Sequence, residues 1–182
     1  MKRNLVIGLA AACLMSGGVM AQDGMYLGQN QNGVAASSNG VAAIPEGVLL
    51  VELERWVAKD DSFSVRPAPS WQVHPGRREG VLGFVSFTEF PGSVPLYHCI
   101  ANDYSDRFTS RQADCEGHIP MASAPITGNV SPTPLPGTVA LYRCLRTGLS
   151  GGRWGDHFDS TDSNCEGVRS TINEGVMGYI WQ

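Results

Sequence analysis

An internal repeat constrains the fold of this chain more than any other feature of its sequence. Residues 91–99 (PGSVPLYHC) align with residues 136–144 (PGTVALYRC), and the tripeptide at 115–117 (CEG) recurs at 165–167. Between these motifs, Phe108 aligns with Phe158. A period of this length is typical of a fold built from repeated supersecondary units.

A third, more divergent repeat lies upstream. Residues 79–85 (EGVLGFV) align with residues 174–180 (EGVMGYI), and the middle repeat has a glycine at the matching place. Phe63 aligns with the two phenylalanines above. We therefore expect three repeats, at 45–90, 91–135 and 136–182.

The cysteines recur with the repeat. Cys99, Cys115, Cys144 and Cys165 lie in the second and third repeats, whereas the alignment places Leu53 where Cys99 falls and Trp71 one place from where Cys115 falls. An apolar pair in one repeat and cysteine pairs in the others predict that these positions face each other. This favours Cys99–Cys115 and Cys144–Cys165 over pairing between repeats. Without a C-x-x-C pair, the spacing does not favour zinc.

The composition favours an all-β fold. The chain has 22 glycines and 11 prolines, and no long window keeps a helical period. Short runs rich in strand formers, such as residues 96–100, are separated by turn residues. Three such repeats predict one pseudo-threefold, β-trefoil-like domain, because closure removes exposed sheet edges. A three-sheet β-prism is the alternative.

The start of the chain is typical of an exported protein. Lys2 and Arg3 precede a short apolar run, and small residues before position 22 predict a signal peptide over 1–21. A flexible leader, rich in Gly, Asn, Ser and Ala, is expected over 22–44. We expect a periplasmic or extracellular protein without a membrane span. The alternative is a lipoprotein anchored through Cys13.

The third repeat resembles a known family. The runs Leu141-Tyr142-Arg143-Cys144, Gly155-Asp156-His157-Phe158, Asn164-Cys165-Glu166-Gly167 and Gly178-Tyr179-Ile180 carry the resemblance. They resemble a repeat of secreted bacterial proteins, often found beside hydrolase or adhesive domains, and are similar to the YRFYN…GDHFYT repeats of exported bacterial proteins. The resemblance covers about half of the chain well and implies a secreted accessory or binding module of unassigned activity. The middle repeat departs from it at Arg107, where the family has histidine.

Few residues qualify for a functional site. Asp156 and His157 form a possible acid–base pair, although a turn held by Asp156 is the favoured interpretation. Asn164 belongs to an oxygen-rich stretch that lacks the spacing of a calcium loop. Trp154 lies in a Gly-rich loop, where binding residues concentrate. These four are the candidate ligand-binding residues; no catalytic residue, cofactor or metal is expected.

The functional expectation follows from repetition without a catalytic constellation. It is a secreted, non-catalytic binding module with a carbohydrate as the suggested ligand. The alternative is an inhibitor or interaction partner of an exported enzyme such as a protease, and a small hydrolase is least favoured. The net charge of −4 argues against nucleic acid as a partner. The expected partners are thus a glycan or an exported protein.

Overall fold

The three predicted repeats, here called segments I (45–90), II (91–135) and III (136–182), consist mainly of strands. The computed structural model describes residues 25–27, 44–68, 74–149 and 155–182. The strands are β1 (Met25–Leu27), β2 (Leu49–Ala58), β3 (Asp61–Val65), β4 (Arg77–Ser86), β5 (Val94–Ile100), β6 (Arg107–Ser110), β7 (Ile119–Pro120), β8 (Ile126–Val130), β9 (Thr138–Arg146), β10 (Asp156–Ser160) and β11 (Thr171–Trp181). Helical structure in these ranges is limited to two 3-10 turns, Cys115–Gly117 and Cys165–Gly167. None of the described helical residues forms a helix long and apolar enough to span a bilayer.

In each segment the first strand pairs with both the second strand and the last strand. β2, β5 and β9 pair antiparallel with the second strands β3, β6 and β10, and also with the last strands β4, β8 and β11. In each segment a leucine of the first strand lies opposite a glycine of the last strand. The pairs are Leu53–Gly83, Leu96–Gly128 and Leu141–Gly178.

The last strands of the three segments also pair with one another, two at a time. The pairs are Ser86–Asn129, Ser131–Tyr179 and Trp181–Phe84. Segment I thus contacts segment II, segment II contacts segment III, and segment III returns to segment I. The prediction of an all-β, single-domain fold is confirmed, as one antiparallel sheet. The β-trefoil assignment stays a prediction.

The glycines of the last strands allow this close approach. A Cβ atom on Gly178 would lie 2.3 Å from Cγ2 of Val130, and one on Gly128 would lie 2.3 Å from Cγ2 of Val85. Neither distance is compatible with an ordinary side-chain contact. The glycine of one segment therefore leaves room for the aliphatic side chain of the segment before it.

The core lies between the first and last strands of the three segments. Its buried members are aliphatic or Met side chains on these strands: Val51, Leu53, Val85, Leu96, Val130, Leu141, Met177 and Ile180. Each segment supplies part of this one cluster. A segment alone would leave its part of this cluster exposed to water, so its stability depends on the other two.

The disulfide prediction is confirmed. Cys99 is bonded to Cys115 and Cys144 to Cys165. Each bond closes a loop within one segment and, by the chain-entropy estimate, stabilises the fold by about 3 kcal/mol. Two disulfides also suggest an oxidising, exported environment.

The alignment of Leu53 with Cys99 is wrong by three positions. Leu53 lies opposite a glycine, as Leu96 does, and Trp56 lies opposite Phe63 as Cys99 lies opposite Phe108. Segment I has a longer connection between its turn and its first strand than segment II, which the alignment of the two sequences lacks. The predicted contact of Leu53 with Trp71 cannot be placed, because Trp71 lies outside the described residues.

Three residues of the expected leader lie in the sheet. Met25–Leu27 forms β1 and pairs antiparallel with Leu49, Leu50 and Val51 of β2. Residues 28–43 and the whole signal-peptide region lie outside the described ranges. The leader thus contributes an additional strand to segment I.

Candidate functional site

Three aspartates, one from each segment, meet where the second strands come together. Asp61, Asp106 and Asp156 each offer a carboxylate oxygen, and these oxygens all lie within 4.8 Å of one another. Asp106 and Asp156 are buried, with 5% and 1% of their surfaces exposed. Three close carboxylates in a dry environment need compensating donors and cations.

Backbone amides of the neighbouring segments supply the first set of donors. Asp61 accepts a hydrogen bond from the Arg107 amide at 2.9 Å, and Asp106 accepts one from the His157 amide at 3.0 Å. Asp156 accepts one from the Ser62 amide at 2.6 Å. Each aspartate thus fixes the start of the second strand in a neighbouring segment: segment I acts on segment II, segment II on segment III, and segment III on segment I. Asp156 acts between segments, whereas the sequence favoured a local turn.

Cationic side chains contact the second oxygen of each carboxylate. Arg107 donates from Nε to Asp61, and Nδ1 of His157 lies 2.5 Å from Asp106. At Asp156 the donor is Nη2 of Arg146, at 3.1 Å. With both oxygens of every aspartate already bonded to the chain, this cluster is best understood as a structural link between segments.

His157 cannot serve as the base of the suggested acid–base pair. Burial lowers its pKa, but hydrogen bonds with Asp106 and Glu174 outweigh burial and raise the pKa to about 9. Nδ1 contacts Asp106, and Nε2 lies 3.2 Å from Glu174. Asp156, its neighbour in sequence, contacts different partners. A protonated imidazole held by two carboxylates has no free nitrogen to accept a proton.

In a second set of contacts, a side chain of each first strand stacks on a phenylalanine of a neighbouring segment. Segment III stacks on segment II in this way, segment I on segment III, and segment II on segment I. The guanidinium carbon of Arg143 lies 5.5 Å from the Phe108 ring centre, and that of Arg55 lies 5.8 Å from the Phe158 ring centre. Both arginines also form bidentate ion pairs, Arg143 with Glu116 and Arg55 with Glu166.

The junction between segments I and II uses histidine instead. His98 stacks on Phe63 with ring centres 6.3 Å apart and an interplanar angle of 11°. Its Nε2 has no hydrogen-bond partner among the described residues. Burial, together with the nearby Arg107 and His74, lowers the pKa of His98 to about 4. A neutral imidazole thus occupies the place that arginine takes in segments I and III.

A cavity of about 300 Å³ opens between segments III and I. Its lining contains Arg55, Val57, Lys59, Asp60, Ser62, Glu79, Arg146, Asp156, Phe158, Glu166 and Val168. This volume is at the lower end of the range of small-molecule sites, about 300–1,000 Å³. The lining mixes four carboxylates and three cationic side chains with one aromatic ring and two valines.

The cavity lies where segment I has a short side chain. Ser62 follows Asp61 as Arg107 follows Asp106 and as His157 follows Asp156. Arg107 extends over Phe63, with its guanidinium carbon 3.4 Å from the ring centre, and His157 lies 5.1 Å from Phe108. Ser62 is too short to make the equivalent contact with Phe158.

The predicted site residues that the structure describes do not form one site. Asp156 lines the cavity, whereas His157 belongs to the aspartate cluster between segments II and III. Asn164 is exposed at the start of the second 3-10 turn, and its side chain makes no capping hydrogen bond. Trp154 lies outside the described residues.

Sequence reasoning missed the other polar residues of the cavity, among them Arg55, Ser62, Arg146 and Glu166. One signal was present in the sequence. The position after the repeated aspartate holds serine, arginine and histidine in segments I, II and III. Such a change from a small to two cationic side chains points to a difference between the junctions.

Comparison with known proteins adds no assignment to this geometry. No family model, curated protein or solved structure matches the chain.

Proposed function

We propose that this protein is an exported, non-catalytic binding module that holds a small carbohydrate ligand in the cavity between segments III and I. The observation that carries the proposal is the cavity itself, which lies at a junction where Ser62 replaces a long side chain. A site of this size accepts a small ligand.

The chemistry of the lining supports a ligand rich in hydroxyl groups. Carboxylates such as Glu79 and Glu166 accept hydrogen bonds, whereas Lys59 and Arg146 donate them. Hydroxyl groups both donate and accept, so a sugar satisfies such a mixed surface. Val57, Val168 and the Phe158 ring offer apolar contact to the C–H face of a sugar ring.

The polar groups of the repeat motif already have structural partners, which supports a non-catalytic role. Ser110 donates a hydrogen bond to Glu116 at 2.7 Å, and Ser160 donates one to Glu166 at 2.9 Å. His157 is held between two carboxylates. A nucleophile would instead need a free base within hydrogen-bond reach.

A glycan array followed by calorimetry of the best ligands tests the proposal. Val57→Trp fills the cavity and should abolish binding, whereas Val81→Trp changes an exposed valine outside the lining and should preserve it. Circular dichroism confirms that both variants fold. Lys59→Ala, on the exposed β2–β3 turn, is the second cavity variant. The proposal fails if no glycan binds, or if binding is insensitive to both cavity variants.

A further inference from the structure

The junction between segments I and II differs from the other two in the side chain that its first strand supplies. At the other two junctions, an arginine of the first strand lies between two glutamates, one from each of the joined segments. These ion pairs are Arg143 with Glu116 and Glu174, and Arg55 with Glu166 and Glu79. His98 takes the place of these arginines, two positions after the leucine that lies opposite a glycine.

The sequence around the first junction lacks both of the corresponding glutamates. The position of Glu79 and Glu174, four before the glycine of the last strand, is Ala124 in segment II. Segment I supplies the Phe63 ring on which His98 stacks, and it has no acidic residue from position 62 to position 78. A cation at position 98 would therefore have neither of the carboxylates that hold the two arginines.

The groups that face His98 from other elements also disfavour a charge there. The His98 side chain is buried, and Arg107 of β6 and His74 join burial in lowering its pKa to about 4. The strands and the 3-10 turn packed against it carry two carboxylates, and both are engaged: Asp61 by Arg107, and Glu116 by an arginine of segment III. A protonated imidazole in this place would be a buried charge without a partner.

We infer that His98 is an acid-sensitive switch: when its imidazole binds a proton, the junction between segments I and II opens and the charge reaches water. The other two junctions stay closed, because their first strands carry arginine, which is charged at any pH. Hydrogen bonds from those arginines lower the pKa of Glu116 and of Glu166, so the ion pairs persist in mild acid. The inference is independent of the proposed binding function, since the cavity lies at another junction.

Protonation of Asp61, the aspartate of this junction, does not account for such an opening. Burial raises the pKa of Asp61, so the folded state binds this proton more tightly than the unfolded chain does, and acid stabilises the fold through it. His98 acts in the opposite direction, because its pKa is lowered from 6.5 in the folded protein. The stability that it contributes is present above pH 6.5 and is lost as the pH falls towards 4.

Hydrogen exchange of three backbone amides, measured by NMR at pH 7 and pH 4.5, tests the inference. The Arg107 amide crosses the junction between segments I and II, the His157 amide crosses that between II and III, and the Ser62 amide crosses that between III and I. Each rate is divided by the intrinsic exchange rate at the same pH. Protection of the Arg107 amide should fall about tenfold or more in acid, and that of the other two should change by less than about threefold.

Ala124→Glu is the decisive variant, because it supplies a carboxylate at the position where the other segments have glutamate. It should restore most of the protection of the Arg107 amide at pH 4.5. Ala122→Glu, the same change at a second exposed alanine, should leave the acid-induced loss as it is. His98→Gln removes the titrating group and should remove the loss, whereas His118→Gln, at an exposed histidine, should not.

Every outcome bears on the switch. A loss confined to the Arg107 amide, and removed by Ala124→Glu or His98→Gln but by neither control, supports it. Equal loss at all three amides would mean that acid unfolds the whole domain, and no loss at the Arg107 amide would mean that the junction stays closed; either result refutes the inference. A loss that persists in both variants would place the titrating group elsewhere and also refute it. If His98→Gln does not fold, Ala124→Glu and its control decide.

Discussion

Arg143 holds Glu116 in a bidentate ion pair, with N–O distances of 2.6 and 3.0 Å, across the junction between segments II and III. Its Nε also contacts Glu174, and its guanidinium lies near the Phe108 ring. Only 11% of the Arg143 side chain is exposed. This one side chain therefore pairs with two carboxylates and packs on an aromatic ring.

Arg143→Met should lower the free energy of unfolding by about 2–4 kcal/mol, because Glu116 and Glu174 lose a shared, poorly solvated partner. Arg77→Met is the matched control: the Arg77 side chain is 71% exposed and forms an ion pair with Glu79. That change should stay within about 0.5 kcal/mol. Urea denaturation of both variants measures the difference. Equal effects would mean that the Arg143 contacts do not link the segments.

Stability should fall as the pH rises from 6.5 to 9, because of His157. Its pKa is raised from 6.5 to about 9 in the folded protein, so the folded state binds the proton more tightly than the unfolded chain does. The resulting stabilisation is fully present below pH 6.5 and is lost as the pH passes through 9. A shift of this size corresponds to about 3 kcal/mol.

Urea denaturation at several pH values between 6 and 10 measures this dependence. His157→Gln should be less stable than the wild type at pH 6, and its stability should change little up to pH 9. Parallel curves for the two proteins would show that His157 is not the group that titrates.

Gly178→Ala should destabilise the fold by about 1–3 kcal/mol or more. The added Cβ would lie 2.3 Å from Val130 Cγ2 and 3.1 Å from the Ser131 carbonyl oxygen, and φ of Gly178 is +152°. Gly80→Ala is the control, since nothing lies within 4 Å of a Cβ placed there. Thermal unfolding of the two variants should differ by several degrees. Equal melting temperatures would show that the packing of segment III on segment II tolerates a methyl group.

Local patterns in the sequence were sufficient for the fold class and the disulfides. Turn residues at short intervals predict strands, and the recurrence of Cys99 and Cys115 as Cys144 and Cys165 selects pairing within a repeat. The alignment of Leu53 with Cys99 was wrong because Cys99 and Leu96, three positions earlier, are both buried. Segment I has no cysteine that would fix the alignment.

The candidate site could not be predicted because its residues meet only through contacts between segments. The Ser62 amide and the Asp156 carboxylate are 94 residues apart in sequence, and Arg55 and Glu166 are 111 apart. The side chains of adjacent residues also contact different segments: Asp156 contacts segment I, whereas His157 contacts segment II. Sequence proximity suggested a pair at 156–157 that the folded chain does not form.

The pairing of Trp181 with Phe84 also has a consequence for the order of folding. Trp181 packs with Val48, Leu50 and Phe90 of segment I, so the strand Thr171–Trp181 completes a surface formed by residues far earlier in the chain. During synthesis, the apolar surface of Val48, Leu50 and Phe90 is not covered by Trp181 until that strand has been made. Contacts of such long sequence separation make folding slow. Burial of this surface of segment I is thus coupled to the synthesis of a strand from another segment.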